Sequence, residues 1–173
     1  MEKIIGIAVL FILYFFTAKK LEGKPIEKIT IDKQAIIIKI HEYAERYKLD
    51  KYFVQAIAEQ ESNYNPDAIN LADPSYGLMQ LTMPIAKYYN KNIKNKNDAF
   101  DIDNNLIGAC AFLADLFRKY KSQSMDDIAQ MYNIGETKFH KGLRNPAYST
   151  GFYKNGKFTP GVLQRYKRIK GEN

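Results

Sequence analysis

The sequence predicts a mainly α-helical domain with one small β-hairpin, preceded by an N-terminal hydrophobic helix. Three observations predict it. Apolar residues recur at three- and four-residue spacing along most of the chain after residue 32. Breaks rich in Asn, Asp, Pro and Gly separate these runs. A single Asn-Gly pair, Asn155-Gly156, sits between Phe152-Tyr153 and Phe158 and marks a hairpin turn. A length of 173 residues with 46% apolar residues suits one domain with a real core.

The chain opens with MEKIIGIAVLFILYFFTAKK, uncharged from Ile4 to Ala18. As a helix these residues would reach roughly 22 Å, short of the about 30 Å of a hydrocarbon core. Residues 1–20 are expected to be a membrane anchor or a signal segment. Ala18 is followed by Lys19-Lys20 rather than by a small-x-small cleavage site, which favours the uncleaved anchor. A polar linker is expected over 21–31 and the folded domain over 32–173.

The helices follow in order. Ile36, Ile37, Ile40, Tyr43, Ala44 and Tyr47 share one face, with Asp32 as a candidate N-cap. A second helix begins after Asp50 and runs to about Tyr64, where Asn65-Pro66 stops it. Residues 65–77 read as a loop. Thr82 and Pro84 open a short helix through Tyr89, and 90–98 reads as a polar connector. A long apolar helix covers 103–120, another runs from the Ser124 cap to Gly135, and a last one runs from Thr159-Pro160 to about Lys170.

The stretch AIAEQESNYNPDAIN, residues 56–70, carries two glutamates. Glu61 lies four after Ile57 and seven after Val54, and so extends the inward stripe. Glu59 lies two after Ile57, nearly opposite, and is expected in solvent. An inward carboxyl resists ionisation, because burial disfavours its charge. A glutamic acid that keeps its proton near neutrality suits general acid catalysis. Gly77-Leu78-Met79-Gln80 follows, where a glycine admits close backbone approach and Gln80 offers both donor and acceptor. Tyr132-Asn133 closes another helix just before Gly135. Thirteen tyrosines and no tryptophan leave tyrosine as the flat surface for a sugar.

Other chemistries have little support. Cys110 is the single cysteine and sits in an apolar helical run, so no disulfide joins this chain to itself. His41 and His140 lack companions at ligand spacing, and neither a metal nor another cofactor is expected. The net charge of +7 invites an acidic partner. The lysines are scattered without a basic, aromatic-laced stripe, so nucleic acid is not expected to be that partner.

Taken in order, these motifs resemble the soluble lytic transglycosylase-like (SLT) domains, relatives of goose-type lysozyme, over roughly residues 33–170. AIAEQESNYNPDAIN is similar to the family's Glu-Ser motif, and YGLMQLTMPIA to its Gly-Leu-Met-Gln motif. DIDNNLIGACAFLADLF resembles its Asn-x-x-x-Gly helix, with Asn104 or Asn105 before Gly108, and IAQMYNIGE its Ala-Tyr-Asn-x-Gly motif. The resemblance implies a lysozyme-like helical domain that cleaves the β-1,4 bond between N-acetylmuramic acid and N-acetylglucosamine in peptidoglycan. It implies Glu61 as the catalytic acid, Ser62 as its hydrogen-bond partner, and a saccharide cleft lined by Met79, Gln80, Tyr132 and Asn133. It also implies a C-terminal tyrosine against the glutamate, for which Tyr166 fits better than Tyr148 or Tyr153.

The lytic reaction needs no second carboxylate, and Asp67 and Asp73 are left to turn formation. Hydrolysis of the same bond, as in goose-type lysozyme, is the alternative, and a catalytically inactive wall-binding protein is a further one. The expected setting is a monomer on peptidoglycan glycan strands, held at the inner membrane by the N-terminal helix and facing the periplasm. The lysines after the hydrophobic segment argue for the opposite, cytoplasmic side.

Overall fold

A computed structural model describes residues 33–121, 123–154 and 157–172. The expected anchor or signal segment, the linker and the Asp32 cap lie outside the described residues. Among the described residues, no helix is long and apolar enough to cross a membrane.

The first two helices pack as a pair. α1 (Lys33–Arg46) buries Ile36, Ile40, Tyr43 and Ala44. α2 (Lys51–Ser62) begins where Asp50 Oδ1 accepts from the backbone N–H groups of Tyr52 and Phe53, at 2.9 and 3.2 Å. Its buried face carries Phe53, Val54, Ala56 and Ile57. It stops at Ser62, two residues before the expected Tyr64. Asn63 (φ 51°) and Tyr64 (φ 65°) both turn left-handed, which ends the ladder ahead of Asn65-Pro66.

The expected loop over 65–77 contains structure that the sequence reading missed. β1 (Ile69–Asn70), β2 (Ser75–Tyr76) and β3 (Leu81–Thr82) form an antiparallel sheet in that order, with Ile69 opposite Tyr76 and Ser75 opposite Thr82. Two-residue strands are too short to show an alternating pattern.

α3 (Met83–Tyr89) follows directly from Thr82, with Pro84 in its first turn. The connector after it is less solvated than expected, since Asn90 and Ile93 are buried. Asn90 Nδ2 donates to the Asn104 carbonyl at 3.0 Å, and a single 3-10 turn spans Asp98–Phe100.

α4 (Ile102–Lys119) is the central helix. It is capped by Asp101 and buries Leu106, Ala109, Cys110, Leu113 and Leu116. It packs against α1, α3 and α5 (Met125–Ile134), whose first turn carries a full capping box between Ser124 and Asp127. Two short helices not expected from the sequence come next: α6 (Glu136–His140) and α7 (Pro146–Ser149). The strands of the expected hairpin are present as β4 (Phe152–Lys154) paired with β5 (Lys157–Thr159), while the Asn155-Gly156 turn lies outside the described residues.

α8 (Val162–Lys170) begins two residues later than expected, because Thr159 belongs to β5. It packs most heavily on α2. Gly161 precedes it at a place where no larger residue fits, since a Cβ there would lie 2.6 Å from the backbone of Ser149 and of Gly151.

Candidate active site

The inward stripe of α2 delivers Glu61 to a cleft. Leu81, Ile85, Phe112 and Tyr132 form its apolar wall. Asn70, Asp73, Ser75 and Gln80, from the small sheet and its turns, form a polar wall. Burial pushes the Glu61 carboxyl up to about 7, against the opposing pull of a hydrogen bond from Tyr148. That bond runs from the Tyr148 hydroxyl to Glu61 Oε1 at 2.6 Å. Among the described residues no cation pairs with Glu61. Near neutrality the carboxyl exists in both forms, so it can give a proton and take one back.

The tyrosine on Glu61 is therefore Tyr148, not the expected Tyr166. Tyr166 sits at the other end of α2, where its hydroxyl donates to Asp50 Oδ2 at 2.8 Å and its ring meets Phe53 edge-on. Tyr148 comes from α7, a single turn begun by Asn145-Pro146. Hydrogen bonds to Gln130 and Asn133 fix that turn to α5. Gln130 Nε2 donates to Ser149 Oγ at 2.7 Å, and the Asn145 N–H donates to Gln130 Oε1 at 2.6 Å.

The expected hydrogen bond from Ser62 to Glu61 is not formed. Ser62 Oγ donates back to the Ala58 carbonyl at 3.2 Å, the usual retreat of a helical serine. Met79 does not line the cleft either, because its side chain is fully buried in the core. Its backbone does the positioning. The Met79 N–H donates to Asn105 Oδ1 at 2.8 Å, and its carbonyl accepts from the Tyr132 hydroxyl at 2.8 Å.

Gln80, Tyr132 and Asn133 do line the cleft. Gln80 holds a left-handed backbone (φ 47°) by donating to the carbonyls of Ala68 and Gly77. Tyr132 stacks on Phe112 at 5.4 Å, and Asn133 Oδ1 accepts from Asn145 Nδ2 at 2.8 Å.

The sequence left Asn104 and Asn105 open, and the structure separates them. Asn105 is fully buried and donates to the carbonyls of Tyr76 and Ala99, besides accepting from Met79. It thus ties the Gly77–Gln80 turn to α4. Gly77 has φ 79°, and a Cβ there would lie 2.5 Å from Asn105 Nδ2. Only glycine allows that approach.

Glu59 corrects another expectation. It is not in solvent, since its side chain is only 11% exposed. Arg165 Nη1 lies 2.6 Å from Oε1, Arg168 Nη2 lies 2.5 Å from Oε2, and the Tyr64 hydroxyl donates to Oε2 at 3.0 Å. Burial pushes this carboxyl up, but hydrogen bonds from Arg168 and Tyr64 and the charges of both arginines leave it lowered. Sequence reasoning missed these arginines. Their i, i+3 spacing after Val162 was the available signal.

Among the described residues, no three His, Cys, Asp or Glu side chains gather in a way that could hold a metal ion.

The chain is similar to known proteins in sequence and in fold. It is 36% identical over 99 residues, 55% of its length, to a Haemophilus influenzae protein named for the soluble lytic murein transglycosylases, and it spans 16% of that protein. Its fold is similar to that of an inactive Glu-to-Gln mutant of the lytic transglycosylase Slt from Pseudomonas aeruginosa. The TM-score is 0.59 and the sequence identity 17%, over 85% of this chain and 24% of that one. The transglycosylase SLT domain family matches residues 39–153, well over half of the sequence, and the chain belongs to that family.

Proposed function

We propose that this chain is a peptidoglycan lytic transglycosylase in which Glu61 acts first as general acid and then as general base. The observation that carries the reading is a carboxyl poised near neutrality in a cleft, held by one neutral phenol and, among the described residues, by no cation. Membership of the SLT family supports it. So does the solved relative of the same fold, which is inactive as a Glu-to-Gln mutant.

The chemistry balances without water. Tyr148 occupies Oε1 and leaves Oε2 to carry the exchangeable proton. Glu61 gives that proton to the glycosidic oxygen as its bond to C1 of N-acetylmuramic acid breaks. The substrate's own acetamido oxygen supports the positive C1. The C6 oxygen then bonds to C1, and its proton returns to Glu61. The product is a 1,6-anhydro end. The Tyr148 hydrogen bond stabilises the carboxylate between the two transfers, and the apolar wall keeps the protonated form populated at the start.

Hydrolysis at the same bond is the second reading. Asp73 favours it, because it shares the cleft wall and a second carboxylate is what an inverting glycosidase uses to direct water. Digestion of purified sacculi followed by mass spectrometry of the ends tests both. Anhydro ends that vanish with Glu61→Gln are expected. Reducing ends would replace the lyase with a hydrolase, and unchanged cleavage by Glu61→Gln would remove Glu61 from the chemistry.

The positive charge of the chain suits the carboxylate-rich wall. Residues 1–20 would tether the domain at the inner membrane on the side of the wall. Protection from added protease in spheroplasts would refute that orientation.

A further inference from the structure

α3 contributes to the cleft at its start, and its stripe continues past the cleft. Thr82 and Ile85 both line the cleft. Residues three apart share a helix face, so Tyr88 is the next member of the same row. Tyr88 is 69% exposed, a large value for a residue of this size.

The ring is nevertheless held in place. Tyr88 meets Tyr89 edge-on at 4.8 Å, Tyr89 lies over Phe112 at 5.3 Å, and Phe112 stacks on Tyr132 at 5.4 Å. The Tyr89 hydroxyl is fixed by Asp115 Oδ2 at 2.7 Å. A line of four rings thus runs from the cleft wall to the surface and ends on Tyr88. Two lysines flank that end. The Lys91 ammonium lies over one face of the Tyr88 ring, 5.4 Å from its centre, and donates to the Lys87 carbonyl at 3.2 Å; Lys87 and Lys91 together border a shallow depression over Ile93. Neither lysine forms an ion pair among the described residues.

We propose that Tyr88 forms an outer saccharide subsite of the cleft, with the ring face opposite Lys91 under a sugar of the glycan chain and with Lys87 and Lys91 receiving a carboxylate carried by that chain or its peptide. This rests on the peptidoglycan reading above. An exposed aromatic face takes the C–H face of a sugar ring at little entropic cost. The lysines supply mobile point charges suited to a carboxylate whose position varies along the polymer.

The test uses the full chain and intact sacculi. Tyr88→Ala should raise KM by roughly three- to tenfold and lower kcat/KM by the same factor, the weight of one aromatic contact. Tyr88→Phe, which keeps the ring, should restore the parent value. Lys91→Glu should also raise KM, by a factor that shrinks as salt is added. An unchanged KM for Tyr88→Ala, or a Tyr88→Phe chain as weak as Tyr88→Ala, overturns the subsite. If the parent releases no product at all, the enzymatic reading fails instead. Pelleting of the Glu61→Gln chain with sacculi then decides the subsite: equal binding with and without the Tyr88 ring overturns it, and weaker binding without the ring upholds it.

Discussion

Glu59 and Glu61 leave the same last turn of α2, two residues apart and about 200° apart around its axis. One faces α8 and the other faces the cleft. Glu59 meets two guanidinium groups and a phenol, so its carboxyl stays charged below its ordinary range. Glu61 accepts a hydrogen bond from one phenol in a cleft with one apolar and one polar wall, and burial holds it near 7. Both are removed from bulk water, so burial alone does not separate them. The charge of the partner does. A paired carboxylate fastens one helix to another, and a carboxyl without a cation keeps a proton that the proposed reaction can use.

Substitutions can break this contrast. The largest effect is expected from Glu61→Gln, which should lower glycan cleavage by about a thousandfold, within the usual range for losing a general acid. The same change should stabilise the fold. A carboxyl whose folded pKa is raised costs stability once pH rises from the unfolded value towards 7, because only the unfolded chain is then free to ionise. Glu61→Gln should therefore gain about 2 kcal/mol at pH 8, discounting for the open cleft, and nothing at pH 4. Denaturant melts at the two pH values check this.

Glu59→Gln should behave in the opposite way. It should lose about 1–3 kcal/mol near pH 7, since Arg165 is left largely buried without its partner. That deficit should close in acid, because a lowered carboxylate pKa contributes stability that disappears as pH falls through the folded value. A deficit that persists at pH 2 would mean packing, not charge, holds the two helices.

Tyr148→Phe comes next, with activity down roughly tenfold from the loss of one hydrogen bond to a charged group. The bond pulls the Glu61 pKa down, so its removal should shift the alkaline limb of the pH–rate profile to higher pH. A limb that stays in place would show that Tyr148 does not act on Glu61. The smallest effect belongs to Arg168→Ala. Arg168 is 60% exposed, and its loss should cost under about 1 kcal/mol.

The contrast also shows what a sequence carries and what it withholds. The helical period placed Glu61 on the inner face because Val54, Ile57 and Glu61 lie on one helix. The same period sent Glu59 to solvent, and nothing local could correct it, since Arg165 lies 106 residues away. Tyr148 and Tyr166 posed the same problem. Each is a tyrosine near a C-terminal helix, and only the turn made by Asn145-Pro146 and pinned by Gln130 brings one of them to the carboxyl. Met79 and Ser62 sit inside matching motifs, yet one contributes its backbone and the other bonds its own helix. The helices after Asp50 and Ser124 and the paired strands β4 and β5 were legible because each has a local cause. The three short strands beside the cleft were not, since backbone pairing across turns leaves no periodic trace in two residues.

The close approach at Gly161 reaches beyond packing. Because the chain touches itself there, the segment between Gly151 and Gly161 begins and ends at almost the same point. Its two feet are joined independently of what lies between them. A longer, shorter or foreign segment grafted at that place would leave both Tyr148 and the Glu59 clamp where they are. A side chain at Gly161 would push those two points apart, so the glycine acts as the buckle of that segment.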